Sequence, residues 1–585
     1  MNIPLAQYWD LLVDYLRVQR WRVAALAVLL FGNIGLQLLN PQLMRWFIDT
    51  ASSGSPLDRL TLVGALFFVL ALAQQGVSVL ATYTGETVAW RATNLLRYDL
   101  ARHCLHLDMS FHNTRTPGEL IERIDGDVNT LSNFFSQFVI RLVGNSILLL
   151  GILCLLFLID WRVGLVIGVF VAITMMVLLR LRNISVPHWK ASSEAHAALF
   201  GFLEERLGGT QDIRSNGATA YVMRRFYELI RTAWRADLRA RWMINIMINS
   251  TFVLFATGST AAFVSSSYLY QSGLITIGTV YLIFHYTEML MQPIQQITQQ
   301  LEDLQRAGAG IVRVRELTNT STRLLDGPGA ALAPGALGVE FDGVRFGYDA
   351  AEPVIHDLSF TLRPGTVIGL LGRTGSGKTT LTRLLTRLYD ASHGSIRLAA
   401  GDSAIDIRQL RLADIPRHVG MVTQNVQLFN AAVRDNLTFF DQSIPDERIL
   451  AVLHELGLIE WFRALPDGLD TVLASGGGGL SAGEAQLLAF TRIFLKDPGL
   501  VILDEASSRL DPATEQRIER AIDRLVEGRT AIIIAHRLQT VERADEIMIL
   551  EDGRIHEYGS RRELALDQDS RFARLLRTGL EEVLA

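Results

Sequence analysis

Three short stretches carry residue types able to do chemistry on a phosphate chain. Gly372-Arg373-Thr374-Gly375-Ser376-Gly377-Lys378-Thr379, followed by Thr380, fits G-x-x-x-x-G-K-[ST]. Glycines let backbone N–H groups converge on phosphate oxygens, and a helix N-terminus adds partial positive charge. Lys378 is expected to reach the β- and γ-phosphates, and the Thr379 hydroxyl to coordinate Mg²⁺. Leu500-Val501-Ile502-Leu503-Asp504-Glu505 is an apolar run ending in two carboxylates. Asp504 suits a Mg²⁺ shell, and Glu505 suits a base that orients or deprotonates an attacking water. Between them lies a glycine run ending Leu480-Ser481-Ala482-Gly483-Glu484 ahead of an apolar helix. Ser481 and the backbone at Gly483 then sit at a second helix N-terminus, a second anion-binding device or a plain cap.

These residues need elements to hold them. Val367–Leu371 reads as a buried strand entering the glycine loop, and Leu381–Leu388 carries apolar residues at helical spacing. Leu500–Leu503 reads as a second buried strand, delivering its acids at the edge where α/β sheets bind ligands. From Val339 onward, short β-like runs alternate with helices, the pattern of an α/β nucleotide domain. Residues 326–338, rich in Pro, Gly and Ala, read as a linker.

The first half of the chain is different. Across 585 residues, 49% are hydrophobic and net charge is −5, so membrane spans are expected and a general nucleic-acid surface is not. Six apolar runs approach the ~20 residues that a hydrocarbon core demands: Val23–Leu39, Leu60–Leu80, Phe138–Leu158, Trp161–Leu179, Ile244–Leu269 and Ile275–Met291. The connections Arg91–Arg123 and Arg180–Arg241 are long and arginine-rich, which places them and both chain ends in the cytoplasm. Residues 1–22 read as an amphipathic helix lying on the membrane, or as an ordinary solvated helix. Polar turns near 113–120 and 208–213 interrupt the two long connections, as hairpin tips or as places where motion is handed over. Leu301–Leu325 is expected to continue the last span as a helix. Cys104 and Cys154 lie in unlike surroundings and imply neither a disulfide framework nor a metal site.

Taken in order, the phosphate loop, Gln424, Leu480-Ser481-x-Gly483, Asp504-Glu505, Ser507-x-x-Leu510-Asp511 and His536 resemble the motifs of an ATP-binding cassette. With six spans ahead of the cassette, the chain is similar to a half-transporter of the ABC exporter family from about Trp21 to Leu576. The resemblance implies an all-α six-helix transmembrane domain (23–325) with long cytoplasmic extensions, followed by an α/β P-loop cassette (339–585). It also implies multi-pass placement in the cell membrane with the cassette in the cytoplasm, and ATP-driven export of a hydrophobic or amphipathic substrate. Tyr348 would stack on adenine, and Gln424 would sense Mg²⁺ and water. Asp511 would communicate across a dimer, and His536 would hold the γ-phosphate. Ser481 and Gly483 would close over the ATP of a partner chain, and the turns near 113–120 and 208–213 would be coupling helices that dock on the cassettes.

The resemblance has a departure. The usual signature, Leu-Ser-Gly-Gly-Gln, here reads Leu-Ser-Ala-Gly-Glu, which puts a carboxylate into a phosphate-facing turn. A second, regular half-transporter chain as partner is therefore favoured, with one impaired ATP site; a homodimer that tolerates Ala482 and Glu484 is the alternative. Polar residues within the spans, among them Gln74, His285 and Glu288, face protein or a cavity. His285 and Glu288 share a helix face and could contact a cationic substrate, relay protons or hold helices together. An ATP-gated channel or regulator is the competing function, and intact Glu505 argues against it because a gate needs only binding.

Overall fold

The computed structural model describes residues 13, 15–137, 142–349, 351–401, 403–423, 426–474, 480–504, 512–535 and 541–578. The chain divides into two compact units, 1–105 with 117–320, and 106–116 with 321–585.

The first unit is helical. Its main elements are α1 (Arg20–Ser52), α2 (Leu57–His106), α3 (Met109–Asn113), α4 (Pro117–Ile121), α5 (Asp127–Gln137), α6 (Gly144–Ile159) and α7 (Trp161–Gly208). After these come α8 (Thr210–Ser215), α9 (Thr219–Gln271), α10 (Ile277–Met289) and α11 (Met291–Asn319); α3 alone belongs to the second unit. Among the described residues, α1, α2, α7 and α9 are each long and apolar enough to cross a bilayer, and α6 is a shorter apolar helix. The third expected span lies partly outside the described residues. The sixth is split at Leu290 between α10 and α11. Pro293 accounts for the break, since it lacks an N–H and crowds the carbonyl four residues back.

Polar caps fix the ends of these helices. Asp160 joins α6 to α7 as a single extended residue and accepts a 2.8 Å bond from the Arg162 amide. Asp49 ties the end of α1 to the start of α10, accepting from the Gly278 amide at 2.9 Å and the Thr276 hydroxyl at 2.8 Å. A Cβ at Gly278 would lie 2.6 Å from the Asp49 carboxylate, so only glycine permits that approach. Ile152, Leu156, Val163, Ile167, Leu282 and Ile283 are fully buried and form the centre of the unit.

The second unit holds a four-stranded antiparallel sheet and a six-stranded, mostly parallel one, with the first strand of the latter falling in sequence between the second and third strands of the former. The first has the order β2-β1-β4-β5, with β1 (Gly338–Phe346), β2 (Ile355–Leu362), β4 (His393–Ala400) and β5 (Ser403–Asp406). The second is built from β3 (Val367–Leu371), β6 (Val419–Val422), β7 (Leu500–Asp504), β8 (Thr530–Ile534), β9 (Glu546–Glu551) and β10 (Arg554–Ser560). Its spatial order is β10-β9-β3-β8-β7-β6. β3 and β8 are buried at every position, as continuous apolar runs covered on both faces must be.

The helix expected to run to Leu325 ends at Asn319, and Thr320 is already extended. Beyond it the backbone finds partners other than a helical turn. The Asp108 carboxylate accepts from the Arg323 amide at 2.6 Å and from the Thr322 hydroxyl at 3.3 Å, while the Arg387 guanidinium donates to the Leu325 carbonyl at 2.7 Å. Asp326 then accepts from the Leu412 amide at 2.7 Å, so the Pro/Gly/Ala-rich stretch lies against the cassette from its first residue. The turn expected at 113–120 falls between α3 and α4, and α3 packs within the second unit. There Met109 lies against the apolar core, and the Asn113 amide donates to the Tyr389 hydroxyl at 2.6 Å. At 208–213 the break is the single residue Gly209, which ends α7 and starts α8.

Asp108 caps α3 as well, accepting from the Ser110 amide at 2.9 Å. Burial alone would raise the Asp108 carboxyl, and hydrogen bonds from Arg323, Ser110 and Phe111 more than offset it, so its pKa lies below the usual carboxylate value. A depressed folded-state pKa stabilises the fold above the unfolded value, roughly pH 4, and the contribution is lost as pH falls through the folded value. Asp108→Asn is expected to cost about 1–2 kcal/mol and to speed amide exchange in 106–116 and 321–325 at pH 7. The difference from wild type should shrink toward pH 3.

Candidate nucleotide site

The parallel register brings the separated motifs to one sheet edge. Leu370 of β3 lies opposite Ile534 of β8, which lies opposite Asp504 of β7. Val422 of β6 pairs with Leu503, one residue further inward. The phosphate loop therefore leaves β3 at the same C-terminal edge where β7 and β8 end, the edge at which an α/β sheet presents its ligand site. Gln424, Glu505, Asp511 and His536 lie outside the described residues; the strands that lead to three of them end at this edge.

The loop itself has the backbone of an anion cradle. Gly372, Gly375 and Gly377 have φ of 150°, 85° and 100°, values that side chains other than glycine rarely adopt. A Cβ at Gly377 would also lie 2.8 Å from the Ile355 side chain. The helix α12 (Lys378–Leu385) starts directly from Gly377, so its first amides face the loop. Lys378 is buried, and its ammonium donates to the Gly372 carbonyl at 2.5 Å and the Arg373 carbonyl at 3.0 Å. Ser376 is buried, and its hydroxyl oxygen has no hydrogen-bond partner among the described residues. An orphan hydroxyl and a folded-back lysine in a glycine nest fit a phosphate chain, which would accept from both. Arg373, Thr374, Gly375 and Thr379 stand exposed at the rim; Thr379 and Asp504, half-buried at the end of β7, are the described oxygen donors suited to Mg²⁺.

Tyr348 stands beside the loop. Its hydroxyl lies 3.1 Å from the Thr380 hydroxyl and accepts from Arg383 at 3.0 Å. Phe346 and Tyr389 hold the ring edge-on at 5.2 Å, and 41% of the residue stays exposed, enough for a base to stack. Sequence reasoning passed over Arg383, whose guanidinium lies 5.8 Å from the Tyr348 ring centre. One turn beyond Thr379 on α12, its position on the helix is the signal that could have found it.

Ser481 lies at the N-terminus of α13 (Ala482–Lys496), with Gly483 buried in its first turn. Glu484 closes a capping box on it. Its carboxylate accepts from the Ser481 amide at 2.8 Å and from the Ser481 hydroxyl at 2.9 Å, while the Glu484 amide donates back to the hydroxyl at 3.2 Å. The serine hydroxyl and the first free amide are thus taken up by the chain's own carboxylate.

Residues 23–294 match the family described as ABC transporter transmembrane region, and residues 355–508 match the one described as ABC transporter. A Bacillus subtilis protein named uncharacterized ABC transporter ATP-binding protein YknV is 30% identical over 572 residues, covering 96% of this chain and 92% of its own. The chain belongs to the ABC transporter family. An ATP-dependent lipid A-core flippase of Burkholderia pseudomallei is also 30% identical, over 96% of this chain and 93% of its own length. The Alcanivorax borkumensis protein of the same name is 28% identical over 99% of both. The fold is that of a solved bacterial Atm1-family ABC exporter with ATP bound, at TM-score 0.79 and 23% identity, covering 96% of this chain and 98% of that one. The chain is thus a membrane-spanning exporter half whose cassette binds ATP and couples its hydrolysis to transport.

Gly377→Ala tests the cradle. An L-residue in a left-handed conformation costs about 1–2 kcal/mol, and the Ile355 contact adds to it. Binding of a fluorescent ATP analogue is expected to fall at least tenfold, while circular dichroism of the helical unit stays unchanged.

Proposed function

We propose that this chain exports an amphipathic substrate by alternating access as one half of a dimer, its partner being a second half-transporter chain with a regular signature. In this reading each ATP lies between the phosphate loop of one chain and the signature of the other. Gly372–Thr380 hold the phosphates, Tyr348 stacks on adenine, and Thr379, Gln424 and Asp504 hold Mg²⁺. Glu505 orients the attacking water, His536 contacts the γ-phosphate, and Asp511 communicates across the interface. The turns near 113–120 and 208–213 carry motion between ATP site and spans. Lipid is the substrate class named for several relatives, and an amphipathic lipid-like molecule is one candidate cargo.

The observation that carries the choice of partner is the capping box at Ser481. A carboxylate bound to the Ser481 hydroxyl and amide occupies one of the groups that a partner's γ-phosphate would need, and like charge opposes exchange. A site built from this signature is weakened, whereas this chain's own phosphate loop can serve a complete site with a partner.

The test is ATP turnover and particle mass of the purified chain alone in lipid, beside its Glu505→Gln form. A monomer, or a dimer with turnover as low as the Glu505→Gln form, is expected. The double change Ala482→Gly with Glu484→Gln should raise turnover of the lone chain at least tenfold. Robust, Glu505-dependent turnover of the unaltered homodimer overturns the need for a second chain.

A further inference from the structure

Inside the helical unit, polar side chains from several helices gather around one cavity. A cavity of about 490 Å³ opens between α1, α2, α6, α10 and the start of α11. Gln37, Asn40, Gln74, His285, Glu288 and Gln292 face it, along with Gln295 one turn further. Glu288, Gln292 and Gln295 follow one another at helical spacing and therefore form a single polar stripe. Polar groups at this depth are costly unless they are used. Some hold each other: the Asn40 amide donates to Gln74 at 3.1 Å, and the Ser259 hydroxyl donates to Glu288 at 2.6 Å. Among the described residues, the side-chain amides of Gln37, Gln292 and Gln295 make no hydrogen bond to protein, and no cation pairs with Glu288.

A second cavity, of about 420 Å³, shares Met291 and Gln295 with the first. Its walls are mostly apolar, including Leu178, Ile248 and Phe252, and its one charged residue is Arg182. The Arg182 guanidinium has a buried nitrogen without a partner, and no carboxylate pairs with it among the described residues. One cavity thus offers a carboxylate with amides, and its neighbour offers a guanidinium beside an apolar wall. At 1.5 Å per residue, the seven residues from Glu288 to Gln295 span roughly 10 Å.

We propose that these adjoining cavities bind an amphoteric molecule across their shared wall at Met291 and Gln295, its cationic group at Glu288 and its anionic group at Arg182, with an apolar portion against Leu178, Ile248 and Phe252. An anionic amphiphile alone would meet a carboxylate and no cation in the larger cavity; a purely apolar one would strand the free amides. The amides sort by hydrogen bonding, and the two charges sort by sign. This deepens the exporter reading by naming the class of its cargo, and rests on that reading for transport but not for binding.

Two sources share this chemistry, a soluble zwitterion and a zwitterionic lipid, and the test separates them. Binding to the full chain in nanodiscs is measured without nucleotide for Leu-Gly-Gly, its N-acetyl form and its C-terminal amide. The lipid arm compares dihexanoylphosphatidylcholine with dihexanoylphosphatidic acid, which lacks the cation. In at least one arm, removing the ligand's cation is expected to weaken binding to wild type at least tenfold, and Glu288→Gln should abolish that difference. For the tripeptide, removing the carboxylate should act likewise, with Arg182→Met abolishing the effect. Charge dependence in only one arm identifies the source. Absence of saturable binding in both arms, or equal affinity of charged and blocked ligands for wild type, overturns the proposal without any variant having to fold. Binding with these signatures in a chain that drives no ATP-dependent transport even when paired with a second half-transporter chain would leave it standing while removing the exporter reading.

Discussion

The parallel pairing of β3, β8 and β7 is the constraint on which the cassette's chemistry depends. Residues more than 100 positions apart in sequence become neighbours because Leu370, Ile534 and Asp504 share one register line. Side chains alternate faces along a strand, so a slip of one residue would turn the Asp504 carboxylate to the opposite face of the sheet. Register here is held by burial. Every residue of β3 and β8 is enclosed, and so are the first four of β7. The apolar runs that specify the sheet also fix where its polar ends emerge.

The helical unit meets the reverse problem. A bilayer offers its helices no hydrogen-bond partners, so each polar group must be capped, paired or turned to a cavity. Asp49 and Asp160 satisfy helix ends, and Tyr286, fully buried, donates to the Leu38 carbonyl at 2.7 Å. The stripe from Glu288 to Gln295 takes the third course, with its polarity left open to a cavity. The break at Leu290 falls inside the stripe, where a proline has already interrupted the helix ladder.

Much of this was legible in the sequence, because the physics involved is local. Strands β3 and β7 were visible as apolar runs, and the glycine loop as a spacing that only a phosphate cradle requires. The end of α11 at Asn319 was not legible. It depends on Asp108, over 200 residues earlier, offering its carboxylate to the Thr322 hydroxyl and the Arg323 amide. For the same reason the sequence marked the turn at 113–120, and the resemblance implied docking on a cassette, but neither showed that the residues in the cassette's own unit are 106–116. Glycine and proline announce a turn, yet which side chains receive it is settled by tertiary contacts such as Asn113 with Tyr389. The role of Glu484 was half visible. Its charge could be read as unfavourable to phosphate, but its closure onto Ser481 is a matter of geometry.

That closure makes one physical device appear twice in the cassette with opposite outcomes. Both α12 and α13 present free amides at their N-termini, and both are preceded by glycine-rich sequence. At α12 the loop leaves a hydroxyl without a partner among the described residues and a lysine resting on backbone carbonyls, so an entering phosphate gains hydrogen bonds that the protein has not otherwise made. At α13 an internal carboxylate already holds the hydroxyl and the cap amide, so an entering phosphate must displace an anion of equal sign. A capping box of this kind stabilises its helix by about 1 kcal/mol, and displacement forfeits that gain while adding charge repulsion. If a partner's nucleotide binds here as proposed, stability of the helix and affinity for that nucleotide compete for the Ser481 hydroxyl, and the glutamate favours the helix.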